Sequence, residues 1–349
     1  MTLAALQESI RFAAARGAPL RLRGGGSKDF YGNEPRGELL DTRGYSGICD
    51  YEPSELVLTA RCGTPLAEVE QALAEHHQCL PFEPPHYGEA TFGGCIAAGL
   101  SGPARAAAGA LRDFVLGTKL VDGRGNVLEF GGRVMKNVAG YDVSRLLAGS
   151  LGTLGLIAEA SIKVLPRPAL ERTRRLAMPQ PPALEAMNRW AGEPLAISAS
   201  AWHEGTLYVR LSGSAPAVDA AAARVGGDEL GDGARFWGAI REQTHAFFAG
   251  ADPLWRLAVP STTPPLELGG SQLLEWNGGL RWLRSAAAAS DVRTAAKRSG
   301  GHATLFRARD KAPGAFSPLD PVLLRLHKQL KHAFDPAGIF NRGRMYAEL

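Results

Sequence analysis

The sequence has few of the residues that point to a metal-dependent, secreted or membrane protein. It contains only four cysteines in 349 residues, and no two of them form a CxxC pair, so zinc and iron–sulfur sites have no support. Cysteines scattered in this way fit reduced thiols in a cytosolic protein. No apolar run approaches the roughly 18 residues that a membrane-spanning helix needs. We therefore predict no metal and no transmembrane segment.

The net charge of the sequence is small, and common catalytic motifs are absent from it. A formal net charge of +4 is small for this length, and no block of lysine and arginine exceeds a few residues, so we expect no nucleic-acid partner. Residues 1–16 carry no basic segment before an apolar run, so we expect no signal peptide and a cytoplasmic location. The sequence has no GxSxG or HExxH motif and no paired histidine spacing for a metal. We assign no catalytic residue.

Glycine, by contrast, is abundant, with 42 residues, and three glycine-rich stretches are prominent in the first half. The run GSLGTLG at 149–155 leads into a segment that alternates as a half-buried strand does, with Leu156, Ala158, Ala160, Ile162 and Val164 on one side. The other two stretches are RGGGSK at 23–28, after a short strand, and TFGG at 91–94. Glycine has no Cβ, so a backbone can come close to a flat or phosphorylated ligand there.

The stretch at 23–28 has the composition of an anion-binding turn. Successive glycines can point several backbone N–H groups at phosphate oxygens. The stretch is not a Walker A loop, because the closing Gly-Lys-Ser/Thr is missing, and it is not GxGxxG. A lone GGG is more often a flexible turn. Three such elements in one half fit an extended dinucleotide along a sheet edge, although on these residues alone unrelated turns stay an open alternative.

The pattern changes after Pro168, where strands alternate with alanine-rich helices in two rounds of similar length. Two such rounds predict an antiparallel sheet with helices on one face. We predict a first domain over 1–168, an α+β cap over 169–310, and a C-terminal segment over 311–349 that returns to the first domain. We also expect Thr64 to cap a helix that begins at Pro65, and one helix over 236–248.

Together these elements resemble the flavoproteins whose FAD-binding domain is of the p-cresol methylhydroxylase or vanillyl-alcohol oxidase type. The matching segments, in order and spacing, are 20–28, 91–94, 140–142, 149–155 and 335–344. The resemblance implies an α+β fold: a two-subdomain FAD-binding domain followed by an α+β cap with an antiparallel sheet. A closer resemblance, to the smaller FAD-binding subunit of bacterial glycolate oxidases, is found in the segments 83–89, 131–142 and 343–349. Complexes of that family also contain a larger flavin subunit and an iron–sulfur subunit.

The resemblance also implies which residues hold the FAD. Gly24, Gly25, Gly26 and Ser27 would bind the pyrophosphate. Close to the pyrophosphate and the flavin would lie Thr91, Gly93 and Gly94, and the isoalloxazine or ribityl side would be lined by Gly149, Gly152, Thr153, Gly155 and Ile157. The matching motifs add Arg23, Lys28, Tyr141 and Asn341 to the predicted site.

Two departures from the family pattern shape the predicted function. Members with covalent flavin often carry histidine after the first glycines, where this chain has Ser27, so we expect noncovalent FAD. Members that oxidise 2-hydroxy acids carry a histidine-rich stretch in the cap that supplies a metal and a base. This chain has only a short Gly-His-Ala-Thr segment around His302, and a dehydrogenase needs a base for the hydroxyl proton.

We therefore predict an FAD subunit of a glycolate oxidase complex, which oxidises glycolate to glyoxylate, with this chain accepting or relaying electrons rather than taking the first hydride. The alternatives are a self-sufficient FAD-dependent dehydrogenase for glycolate or D-lactate, with His302 or Tyr141 near the flavin, and a structural subunit with a vestigial nucleotide site. Attachment to the inner face of the cytoplasmic membrane through partner subunits stays open.

Overall fold

The computed structural model describes residues 1–132 and 142–349, and every element named here lies in those ranges. Among these residues, no helix combines the length and the apolarity needed to cross a membrane. In the first half the elements are α1 (Leu3–Arg16), β1 (Leu20–Arg23), β2 (Glu38–Asp41), β3 (Ile48–Glu52), β4 (Val57–Arg61), α2 (Leu66–Glu75), β5 (Gln78–Cys79), α3 (Phe92–Ala98), α4 (Arg105–Ala108), α5 (Leu111–Phe114), β6 (Val115–Val121), β7 (Val127–Gly131), α6 (Val143–Leu147), β8 (Leu156–Lys163) and β9 (Leu165–Pro166).

The second half begins with a long strand and ends on a long helix. Its elements are β10 (Leu170–Ala177), α7 (Gln180–Ala191), β11 (Ile197–His203), β12 (Thr206–Gly213), α8 (Ala215–Val225), β13 (Asp228–Glu229), α9 (Gly233–Arg241), β14 (Leu254–Ala258), β15 (Ser271–Glu275), β16 (Leu280–Arg284), α10 (Ala289–Arg298), β17 (His302–Arg307) and α11 (Pro321–Phe334), with 3-10 turns at Ala246–Phe248 and Trp276–Gly278.

A five-stranded antiparallel sheet, ordered β3-β4-β8-β6-β7, organises the first half. The alternating segment predicted from the sequence is its central strand, β8, and all five predicted residues are buried. A β-bulge divides them between two sides: Leu156 and Ala158 pack in one apolar cluster, and Ala160, Ile162 and Val164 pack with Ile157 in another. The strand is therefore covered on both faces rather than half-buried, as a central strand between packed layers must be.

A smaller parallel pair, β1 with β2, carries the first glycine-rich stretch at its end. The C-terminal tail adds to this pair, since the Leu20 N–H donates to the Ile339 carbonyl oxygen at 2.7 Å and the Asn341 N–H donates to the Leu20 carbonyl oxygen at 2.9 Å. Strand β1 thus lies between β2 and the C-terminal tail, which are far apart in sequence.

The second half forms an eight-stranded antiparallel sheet, ordered β13-β10-β12-β11-β15-β16-β14-β17. Helices α7, α8 and α10 pack on one face. Helix α9 lies on the other face, where Phe236 stacks on Tyr208 at 4.1 Å between ring centroids. The rest of that face packs against the first half through aromatic and leucine side chains. The prediction of helices on one face alone is therefore wrong for α9.

Two local predictions also differ from the structure. The Thr64 hydroxyl donates to the Arg61 carbonyl oxygen at 2.8 Å and accepts from the Gly47 N–H at 2.9 Å, so α2 begins after Pro65 without Thr64 as its cap. The single helix expected over 236–248 ends at Arg241, because Gln243 takes a φ of 55°. A separate 3-10 turn follows at Ala246–Phe248.

Candidate functional site

The three glycine-rich stretches and the C-terminal tail meet at one open cleft. The end of β1 supplies the first stretch, the start of α3 supplies the second, and the loop before β8 supplies the third. The predicted site residues that line the cleft are Arg23, Gly24, Gly25, Gly26, Ser27, Lys28, Thr91, Gly93, Gly94, Gly152, Gly155, Ile157 and Asn341.

Three predicted residues are not among those that line it. The Thr153 hydroxyl donates to the Ser150 carbonyl oxygen at 2.7 Å and so stabilises the turn itself. The Gly149 N–H donates to the Ile96 carbonyl oxygen at 3.0 Å, which ties the loop to α3. Both residues shape the loop from behind the cleft. The third, Tyr141, lies outside the described residues.

The structure adds cleft residues that were not predicted from the sequence. They are Arg21, Leu22, Asp29, Pro35, Thr42, Cys62, Ala97, Ala98, Leu151, Leu156 and Arg344. Arg344 is 6% exposed, and its guanidinium donates to the backbone carbonyl oxygens of Lys28, Asp29 and Asn33. Burial lowers its pKa to about 10. The sequence pointed to Arg344 only through its place in the segment 335–344, which resembles the flavoprotein family.

The first stretch offers unused hydrogen-bond donors. Asp29 closes the turn, because its carboxylate accepts from Arg23 Nε at 2.7 Å and its N–H donates to the Gly26 carbonyl oxygen at 3.0 Å. In the described parts of the chain, the backbone N–H groups of residues 24–28 have no acceptor. All five residues are half-buried at the cleft, and adjacent N–H groups without a partner in the protein are suited to an anion with several oxygens.

The glycines of the cleft serve two different purposes. A Cβ at Gly25 would overlap the backbone carbonyl of Glu89, so glycine there is required by the protein's own packing. A Cβ at Gly94 would meet, among the described residues, only the Thr91 hydroxyl oxygen at 3.1 Å. Gly94 therefore leaves open space that the fold itself does not need, as expected where a ligand passes close to the backbone.

The C-terminal tail joins two walls of the cleft through Asn341. Its side-chain oxygen accepts from the Leu22 N–H at 2.8 Å, and its side-chain nitrogen donates to the Leu151 carbonyl oxygen at 2.6 Å. Asn341 thus links β1 to the third glycine-rich stretch across more than half of the sequence. The cleft is complete only when the tail is in place.

Lys28 is the cation at one end of the cleft. Its ammonium group donates to the His86 carbonyl oxygen at 3.1 Å and the Ser27 hydroxyl at 3.3 Å, and burial lowers its pKa. The His86 ring pairs with Glu70 at 3.0 Å, and His302 is not among the lining residues. Within the described residues, the cleft has cations and donors for an anion but no histidine at its lining.

The comparisons with known proteins agree with this geometry. A family model described as an FAD binding domain matches residues 2–131. Over 346 residues the chain is 47% identical to the glycolate oxidase subunit GlcE of Escherichia coli K12, covering 99% of this chain and 97% of that protein. The chain belongs to the GlcE family. It is an FAD-dependent oxidoreductase, so the predicted family, fold class and cofactor are confirmed.

More distant relatives share only part of their length with this GlcE-family chain. A D-lactate dehydrogenase of Archaeoglobus fulgidus is 33% identical over 51% of this chain and 40% of its own length. The glycolate oxidase subunit GlcD of Bacillus subtilis is 31% identical over 44% and 33%, respectively. A solved alkyldihydroxyacetonephosphate synthase matches with a TM-score of 0.67 and 14% identity, over 96% of this chain and 74% of that one; this likeness shows a shared fold.

Proposed function

We propose that this chain is the FAD subunit of a complex that oxidises glycolate to glyoxylate, and that it accepts or relays electrons rather than taking the first hydride. The observation that carries the proposal is the turn at 24–28 with its unused N–H donors, in a chain that matches a glycolate oxidase subunit over almost its whole length. A larger flavin subunit and an iron–sulfur subunit would be its partners. The cytoplasmic location and the domain division at 168 and 310 belong to the same proposal.

The described residues divide the work of holding FAD noncovalently. The N–H donors of 24–28 bind the pyrophosphate, and Arg23, Lys28 and Arg344 balance its charge from the surrounding wall. An anion there would offset the burial that lowers the pKa values of Lys28 and Arg344. Gly94 lets the cofactor pass close to α3, whereas glycine at position 93 is required because a Cβ there would overlap Cys62. When bound, FAD supplies redox chemistry that can take up and pass on electrons.

The loop that enters β8 forms the end of the cleft that would hold the flavin ring. Gly152, Gly155 and Ile157 line it, and Asn341 holds the loop's Leu151 carbonyl in place. Asp29, the carboxylate among the lining residues, is engaged by Arg23 at 2.7 Å. The lining within the described residues thus supplies no free carboxylate or histidine as a base, which supports electron relay over a self-sufficient dehydrogenase.

The substitution Gly94→Ala tests the cofactor site without rebuilding the fold. The added methyl group would require the Thr91 hydroxyl, 3.1 Å away, to shift by a few tenths of an ångström, and it would occupy cleft space. We expect FAD affinity to fall at least ~10-fold, with a much smaller effect on thermal stability. Gly238→Ala is the matched control, because Gly238 also lies in a helix and a Cβ there meets no described atom within 4 Å. FAD affinity is measured by titration of flavin fluorescence. Equal affinities in the two variants would place the cofactor elsewhere.

Anaerobic addition of glycolate separates the two functions. The FAD-loaded chain alone should keep its oxidised flavin spectrum, and the chain assembled with its partner subunits should lose it. Bleaching of the flavin in the isolated chain would favour the self-sufficient dehydrogenase.

A further inference from the structure

Two arginines that do not line the FAD cleft form no ion pair in the described parts of the chain. Arg256 on β14 lies 5.2 Å over the Trp276 ring, and Arg307 on β17 lies 4.2 Å over the Phe30 ring. Within the described residues, neither guanidinium makes a hydrogen bond or an ion pair, and both side chains are partly exposed. Guanidinium groups held among aromatic rings, with their N–H donors unused, are suited to an anionic ligand.

The two arginines belong to the face of the eight-stranded sheet that meets the first half of the chain. Arg256 is paired across the strands with Trp282, whose ring lies 4.9 Å from that of Phe306. Phe306 and Trp282 pack in one apolar cluster with Leu151, which lines the FAD cleft. The arginines therefore lie between the cap sheet and the cleft.

Tyr87 joins this cluster to the Lys28 end of the cleft. Its ring centroid lies 5.0 Å from the Arg307 guanidinium carbon and 5.6 Å from the Lys28 ammonium nitrogen. Its hydroxyl has no hydrogen-bond partner in the described chain. The residue takes a φ of 52°, a strained conformation for a residue other than glycine that is kept where function or packing demands it. The Glu242 carboxylate holds it there by accepting the Tyr87 N–H at 2.9 Å.

The acidic groups nearby accept their hydrogen bonds from donors other than the two arginines. Glu242 is engaged by the backbone N–H groups of His86 and Tyr87 and by Arg241. Glu275 is 4% exposed and accepts from Trp282 Nε1 at 2.7 Å. Burial raises the pKa of Glu275 to about 7, although the charge of Arg256 acts in the opposite direction. Neither carboxyl group forms a hydrogen bond or an ion pair with Arg256 or Arg307 in the described chain.

We propose that Arg256, Arg307 and the Tyr87 hydroxyl bind a small carboxylate between the cap sheet and the Lys28 end of the FAD cleft. The planar guanidinium matches the two oxygens of a carboxylate, and the rings of Phe30 and Trp276 shield the pair from water, which strengthens it. The proposal rests on the proposed function for the identity of the neighbouring cofactor. It gives this chain a carboxylate site of its own, whichever subunit takes the first hydride.

Glycolate, with the neutral glycolamide as matched ligand, is the probe. Binding to the full chain is followed by tryptophan fluorescence, because Trp276 and Trp282 adjoin Arg256, and by calorimetry. We expect glycolate to bind at least ~10-fold more tightly than glycolamide, and Arg256→Gln and Arg307→Gln each to weaken glycolate binding at least ~10-fold, as loss of a charge-assisted pair does. Arg309→Gln, at an exposed position two residues beyond Arg307, should match the parent chain.

The titration is run with and without FAD, so that the two proposals fail separately. A chain that binds glycolate through the arginines but takes up no FAD would overturn the proposed function alone. Normal FAD affinity with no binding of glycolate, or with binding unchanged in both glutamine variants, would overturn the carboxylate site. Arg307→Lys keeps the charge without the planar fork, so partial binding by a folded lysine variant supports the site if a glutamine variant does not fold.

Discussion

The buried ammonium group of Lys331 holds the C-terminal tail against the glycine-rich loop of the FAD cleft. It donates to the Asp335 carboxylate at 2.8 Å, the Thr153 carbonyl oxygen at 2.6 Å and the Phe340 carbonyl oxygen at 2.8 Å. The Lys331 and Asp335 side chains are 8% and 0% exposed. This network joins α11, the tail and the loop before β8, so its loss should affect both stability and cofactor binding.

Lys331→Met keeps the apolar stem of the side chain and removes all three hydrogen bonds. Removal of one partner of a buried ion pair costs about 3–5 kcal/mol, because the other charge is left uncompensated. Asp335 still accepts the N–H groups of Ile339 and Phe340 at 3.0 and 2.8 Å, which favours the lower part of that range. We therefore expect the free energy of unfolding to fall by about 3–4 kcal/mol.

Lys328→Met is the matched control, since Lys328 is exposed on the same helix about one turn earlier. Urea unfolding followed by tryptophan fluorescence gives the two free energies, and flavin fluorescence gives the two FAD affinities. The control should stay within about 0.5 kcal/mol of the parent, as exposed substitutions do. If the two variants differ by less than that and bind FAD equally, the tail is not held by Lys331.

Two further predictions concern Glu275 and Gly25. Burial raises the Glu275 pKa from 4.5 to about 7, so between these pH values the native state holds a proton that the unfolded chain has released. The free energy of unfolding should therefore fall as pH rises through this window, by up to about 3 kcal/mol at 1.36 kcal/mol per pH unit. Glu275→Gln should reduce this pH dependence, which urea unfolding at several pH values measures. An unchanged pH dependence in the variant would contradict the raised pKa of Glu275. Gly25→Ala should lose FAD and thermal stability together, since its Cβ overlaps the Glu89 backbone; an FAD-loaded alanine variant of normal melting temperature would show that the turn is free to move.

Local sequence patterns predicted the elements on which the cleft is built. The alternation from Leu156 to Val164 predicted a strand because side chains two residues apart share one face, and the strand lies at the centre of the sheet. Its burial on both sides was not predictable, because that depends on which helices the rest of the chain places there. The glycine-rich stretches were visible in the sequence for the same local reason.

Residues whose roles depend on distant partners could not be predicted. The Thr64 hydroxyl bonds to Gly47, in a loop that no capping rule relates to it. Arg256 and Arg307 occupy ordinary strand positions, and only the packing of the sheet on the first half places them near Tyr87. Glycine motifs suggested close approach of a ligand, whereas at Gly25 the close neighbour is the chain itself.

The FAD content of the purified chain tests the central claim most directly. The chain should carry equimolar FAD, and heat or acid denaturation should release it into the supernatant, because the predicted FAD is noncovalent, with Ser27 after the first glycines. Gly94→Ala should lower the occupancy, and Gly238→Ala should not. A folded chain that takes up no FAD when it is supplied in excess, or whose flavin stays with the precipitated protein, would contradict the account.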